Sequence, residues 1–124
     1  MKKTWLTVLS GTFVLALISS PALASGDAEA GAALFKKKCK VCHATEADKH
    51  KNGPSLAGIF GRKAGSTDFA KYTGLKGFDA VWDEENLDKF LTNPKKFVGA
   101  KSMALKLKKE DDRADVIEYL KTLK

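Results

Sequence analysis

Cysteine is nearly absent from this chain. Cys39 and Cys42 are the only two, so no second pair exists to complete a closed, four-ligand zinc site. A disulfide between them would close a very small loop and stabilise little. Histidine is equally scarce, with His43 and His50 alone. No segment alternates apolar and polar residues with the period of a strand, which removes the βαβ setting of a thioredoxin-like redox pair. Aromatic and basic residues are not interleaved as in chains that bind single-stranded nucleic acid. The net charge of +7 therefore reads as Lys mixed with Asp and Glu on a solvated surface. There is no internal repeat and no twin arginine.

One long charge-free stretch is present, residues 4 to 26, preceded by Lys2 and Lys3. Its apolar part runs from Trp5 to Ile18, Pro21 breaks it, and Ala22-Leu23-Ala24 has the small-x-small form of a cleavage site. Residues 1–24 are expected to be an export signal, cut after Ala24. An uncleaved anchor is the alternative, since the span is just long enough to cross a bilayer; Pro21 and the alanine motif favour cleavage. Residues 25–124 then form one domain of 100 residues, with 20 basic and 15 acidic side chains. A domain of that size buries only roughly 60 to 70% of its unfolded surface, and a prosthetic group would help to fill its core.

The periodicity predicts an all-α chain. Asp27 caps a helix to about Lys38, with Gly31 and Phe35 on one face. A second helix runs from near Asp83 to about Thr92, its stripe formed by Leu87, Phe90 and Leu91. Asn93-Pro94 ends it, and a short helical turn is expected through Phe97. The last helix spans about Lys109 to Thr122, with Val116, Ile117, Leu120 and Leu123 on the apolar face. Glu110, Asp111 and Asp112 suit the positive end of its dipole. Residues 49 to 77 are rich in Gly and Lys and carry the turn signal Asn52-Gly53-Pro54. This middle third reads as loops around something rigid. It has few large apolar residues, a deficit that a large flat apolar cofactor would cover.

Cys39-Lys40-Val41-Cys42-His43 supplies that cofactor. It is the C-x-x-C-H attachment motif for haem c. Two cysteines three apart project from the same side of a helical turn and can form thioethers with two vinyl groups on one porphyrin edge. His43 then falls beneath the iron as proximal ligand. One covalent haem c per chain is expected.

The 26–124 stretch resembles the class I c-type cytochromes, near mitochondrial cytochrome c and the purple-bacterial cytochromes c-two. The resemblance rests on Gly31 and Phe35, Cys39 to His43, Asn52-Gly53-Pro54-Ser55-Leu56, Gly61-Arg62-Lys63, Tyr72, Trp82, Asn93-Pro94-Lys95-Lys96-Phe97, Met103, and Val116-Ile117-Glu118-Tyr119-Leu120-Lys121. It implies the small cytochrome c fold: helices and loops around one covalent haem, with N- and C-terminal helices crossing at Gly31. It also implies roles. The Pro54 carbonyl would accept a hydrogen bond from His43, which fixes the ligand's tautomer. Arg62, Tyr72 and Trp82 would bind or approach the haem propionates, with core packing as the lesser alternative for the two aromatics. Met103 would be the sixth ligand, nine residues after Pro94. It is the only methionine once Met1 leaves with the signal; a lone Met is otherwise core filler. Phe90 stands where mitochondrial cytochrome c has a tyrosine, Leu105 where a phenylalanine usually flanks the haem, and Lys76 roughly where an asparagine is buried.

The function so implied is a soluble, monomeric, single-electron carrier in the periplasm. It would not be membrane-inserted after cleavage and would not bind nucleic acid. It would shuttle between membrane redox complexes such as a cytochrome bc complex, a terminal oxidase or a photosynthetic reaction centre. Two other readings, a peroxidase-type enzyme and a small-ligand sensor, need an open iron position, and the first also needs a distal acid–base group. His50 is the only spare histidine and reads as a solvated surface residue. Lys36, Lys38 and Lys40, together with Lys95, Lys96, Lys101, Lys106 and Lys108, are expected to ring the haem edge and steer docking.

Overall fold

The computed structural model describes residues 26–124; the expected signal and its cleavage after Ala24 lie outside the described residues. Four helices form: α1 (Ala28–Lys38), α2 (Glu84–Thr92), α3 (Pro94–Val98) and α4 (Glu110–Lys121). Among the described residues there is no strand, only an isolated antiparallel bridge between Lys63 and Val81. No helix described is long and apolar enough to cross a membrane.

Local chemistry sets the helix ends. Asp27 accepts from the backbone N–H groups of Glu29 and Ala30, and Asp83 accepts from that of Asn86. Asn93 both ends α2 and caps α3, whose first residue is Pro94. Gly99, with φ of 69°, closes α3 in the left-handed conformation. Lys109 caps α4 without a side-chain bond, so Glu110, Asp111 and Asp112 serve that helix end through the dipole.

Helices α1 and α4 cross in close contact because Gly31 has no side chain. A Cβ there would lie 1.9 Å from the Asp115 carbonyl oxygen and 2.9 Å from Tyr119 Cβ. Phe35 and Tyr119 stack beside the crossing with ring centroids 5.1 Å apart. Val116, Ile117 and Leu120 are buried beneath, each contributing roughly 1.5–3 kcal/mol by leaving water. The other face of α4 meets α2 through Arg113. Its Nε donates to Asp88 Oδ1 at 2.6 Å, and its Nη1 donates to the carbonyls of Leu107 and Lys108.

Between α1 and α2 the chain is loop and turn, as the middle third predicts. One of its two histidines departs from expectation. His50 is not a solvated surface residue: its side chain is only 20% exposed. Nδ1 accepts from the Ser55 N–H, Nε2 donates to Asp68 Oδ1 at 2.6 Å, and the ring packs on Phe69. The loop folds back on itself around the imidazole, which sequence spacing alone does not reveal.

Candidate functional site

The helices and the long loop enclose one apolar cavity of about 340 Å³. Leu87, Phe90 and Leu91 of α2, Val116 and Leu120 of α4, and Ile59 from the loop form much of its wall. Cys39, Cys42, His43, Pro54, Arg62, Tyr72, Trp82 and Met103 all line this same cavity, although they come from six separate stretches of sequence.

Cys39 caps the C-terminus of α1, and the chain continues as a turn in which the Cys42 and His43 N–H groups both donate to the Cys39 carbonyl. That turn brings both thiols and the imidazole to one wall. The cysteines are free. Burial pushes the Cys39 thiol up to about 11, so at neutral pH it is a protonated thiol with little tendency to oxidise. Among the described residues, no three of His, Cys, Asp and Glu gather as a metal-binding group.

His43 is seated from behind. Its Nδ1 lies 2.7 Å from the Pro54 carbonyl oxygen. A carbonyl only accepts, so Nδ1 carries the hydrogen. Burial, the largest influence, holds the imidazole below its ordinary pKa, and Lys51 adds to this against the opposing Pro54 bond. The ring is therefore neutral near pH 7, with a free lone pair on Nε2. Gly53 lies against the ring: a Cβ there would be 2.3 Å from His43 Cε1 and under 3 Å from both ring nitrogens.

Arg62 has two of its three nitrogens occupied. Nη1 donates to the Ala57 carbonyl at 2.8 Å and Nη2 to that of Ser55 at 3.0 Å. Its Nε is buried with no partner. A buried donor without an acceptor is costly, and burial also lowers the guanidinium pKa. An anionic acceptor in the cavity would relieve both. The Tyr72 hydroxyl pairs with Thr67 Oγ1 at 2.5 Å. Trp82 is buried edge-to-face on Phe90, and its backbone pairs with Gly61 and Arg62. Met103 is half-buried against the core.

The cavity thus suits a large flat apolar ring bearing acidic groups: apolar walls, two thiols, a neutral imidazole, a thioether, and a buried cation with one free N–H. Phe90, lacking a hydroxyl, packs between Trp82 and Phe97. Leu105 lines the cavity, while Lys76 is exposed and its neighbour Leu75 takes the wall. Of the lysines expected near the opening, Lys38 alone borders the cavity, joined by Lys71, which the sequence did not single out. Lys36 and Lys40 instead line a second cleft, which shares His43. Gly53 and Thr73 also line the main cavity. The Asn-Gly-Pro turn was visible in sequence, but not the contact of its glycine with the imidazole.

Comparison with known proteins agrees with this chemistry. The cytochrome c family model matches residues 28–124. Cytochrome c of Theileria annulata is 47% identical over 98 residues, covering 77% of this chain and 85% of that protein. Cytochrome c type-1 of Ascaris suum is 42% identical, covering 81% and 91%. Cytochrome c of Euglena viridis is 42% identical, covering 80% and 99%. With the C-x-x-C-H motif on the wall of an apolar cavity, and with α1 and α4 crossing at Gly31, the chain belongs to the cytochrome c family of covalent haem c electron carriers.

Proposed function

We propose that the protein is a diffusible one-electron carrier whose iron is held by His43 and Met103, exported to the periplasm and running between membrane redox complexes. The observation that carries this reading is the shared cavity. His43, with its tautomer fixed by Pro54, and Met103, the only methionine outside residue 1, both open into it. Haem c, when bound, supplies an iron that cycles between two oxidation states. The chain's residues do the rest. Cys39 and Cys42 anchor the ring through thioethers. Pro54 orients His43 and raises its basicity. Met103 would supply its thioether to the iron as the second protein ligand, a ligand type that favours the reduced state. Arg62 offers its free N–H to a propionate, and Tyr72 and Trp82 shape the wall there. The core packed around the cavity keeps water from most of the ring.

An enzymatic role would require a distal acid–base group. His50 does not line the cavity, and both its nitrogens are engaged by Ser55 and Asp68. Export is supported by the charge-free span, Pro21 and the Ala22-Leu23-Ala24 site, together with a family match that begins only at residue 28. A bc-type complex as donor, and a terminal oxidase or a photosynthetic reaction centre as acceptor, are partners of the right chemistry, approached through the exposed lysines.

The test is the mature protein itself. Its mass should equal residues 25–124 plus one haem and survive denaturation. The oxidised form should show the weak absorption band near the red edge of the visible that marks methionine–iron ligation. Met103→Ala should keep the haem, lose that band, lower the potential and bind added imidazole at least ten-fold more tightly, the gain expected when about 1.4 kcal/mol of internal ligation is removed. A spectrum unchanged in Met103→Ala refutes the ligand assignment.

A further inference from the structure

The segment that carries Met103 is held in an unusual way. Outside the helices, residues 100 to 106 neither donate nor accept a backbone–backbone hydrogen bond among the described residues. The segment is anchored at its two ends. Gly99 closes α3 through its N–H to the Lys95 carbonyl, and the Leu107 N–H donates to the Leu91 carbonyl. Between these anchors it makes hydrogen bonds to one residue only. The Lys101 N–H donates to Thr73 Oγ1 at 3.1 Å, and the Ser102 hydroxyl shares a bond with the same oxygen at 3.3 Å. Thr73 is far away in sequence. It is brought there because its neighbour Gly74, at φ of 78°, presses bare backbone against α3; a Cβ at Gly74 would lie 1.8 Å from the Val98 carbonyl oxygen. Thr73, Ser102 and Met103 all line the cavity.

We infer that Thr73 is a positioning residue for Met103: its hydroxyl latches the otherwise unbonded segment, and thereby sets how often the methionine leaves the iron. The inference rests on the reading of Met103 as axial ligand. A segment without ladder bonds opens locally at low free energy, so side-chain bonds within it weigh heavily on that equilibrium. Both bonds are at exposed positions, where water replaces a lost partner in part. Removing them together therefore shifts the opening equilibrium roughly five- to ten-fold.

The experiment uses the oxidised holoprotein. Imidazole affinity is measured by titration, and amide exchange of residues 100 to 106 is followed by NMR. Thr73→Val keeps the shape and removes the hydroxyl. It should raise imidazole affinity roughly five- to ten-fold and speed exchange in that segment, while Thr73→Ser restores both. Thr122→Val, which removes a hydroxyl that donates to the Tyr119 carbonyl at the end of α4, controls for general destabilisation. If wild type shows the methionine band and Thr73→Val leaves imidazole affinity within two-fold, the latch is refuted while the ligand assignment stands. Equal effects from Thr73→Val and Thr122→Val also refute it. If wild type lacks the band, the ligand assignment fails and the inference falls with it.

Discussion

Gly53→Ala should unseat His43. Carbon–carbon contacts rest near 3.5–4.0 Å, yet the new Cβ would lie 2.3 Å from His43 Cε1, so roughly 1.2 Å must open between them. Gly53 cannot easily supply that movement. Its N–H donates to the Cys42 carbonyl at 2.8 Å, and its own carbonyl accepts from Lys51 at 2.9 Å. The imidazole must give way instead. A displacement of that size takes its Nδ1, now 2.7 Å from the Pro54 carbonyl oxygen, beyond hydrogen-bond range. Overpacking costs about 1–3 kcal/mol, and stranding a buried donor costs about 1–3 kcal/mol more, so a loss of about 2–6 kcal/mol is expected. Guanidinium unfolding of the holoprotein measures this, and the His43 ring N–H proton reports the bond by NMR. Gly58→Ala is the comparison. A Cβ there meets nothing within 4 Å, but φ is 59°, so the cost is backbone strain alone, about 1–2 kcal/mol, with the ring proton unmoved. A Gly53→Ala protein that loses less than about 0.5 kcal/mol and keeps that proton would refute the argument.

Arg62→Gln should lower the reduction potential, because a buried cation near the ring is lost, and should weaken the Ala57–Ser55 turn by about 1–2 kcal/mol through its two missing bonds; cyclic voltammetry and denaturation measure the two effects separately. Electron transfer to an acidic redox partner, followed by stopped flow, should slow steeply as salt passes roughly 0.1 M, where the screening length nears 10 Å. Charge reversal at Lys95, Lys96 or Lys101 should slow it further. Reversal at Lys121, which is tied to Glu84 and Glu118, should matter much less, and equal losses at Lys121 and Lys96 would rule out a lysine-steered face. The His50 hydrogen bond holds the Asp68 carboxyl below its ordinary pKa, so the stability it contributes is present above the unfolded value and is lost as pH falls through the lower folded one. Asp68→Asn should therefore lower stability at neutral pH and change it little in acid, below about pH 4, so that the acid limb of the stability curve flattens, read as unfolding midpoints across pH.

The features that depend on near neighbours were legible without coordinates. The C-x-x-C-H turn works through residues three and four apart, so its chemistry follows from spacing. The helices follow from caps and stripes of the same short range: Asp27, Asp83 and Asn93 begin or end elements where their side chains can reach their own backbone. Gly31 at the α1–α4 crossing, the Pro54 carbonyl behind His43 and the role of Met103 came through resemblance, because each joins parts of the chain that no periodicity relates. Tertiary structure alone decided the rest. An irregular loop has no repeat from which to read its partners. The spacing of His50 thus suggests a surface residue, whereas the loop closes it between Ser55 and Asp68, the latter 18 positions away. Lys36 and Lys40 line a different cleft from Lys38, because residues two apart on a helix point to different faces and Lys40 lies in the turn beyond α1. Thr73 had no distinguishing signal at all, since its hydroxyl gains meaning only when the chain brings Lys101, 28 residues on, within hydrogen-bond reach.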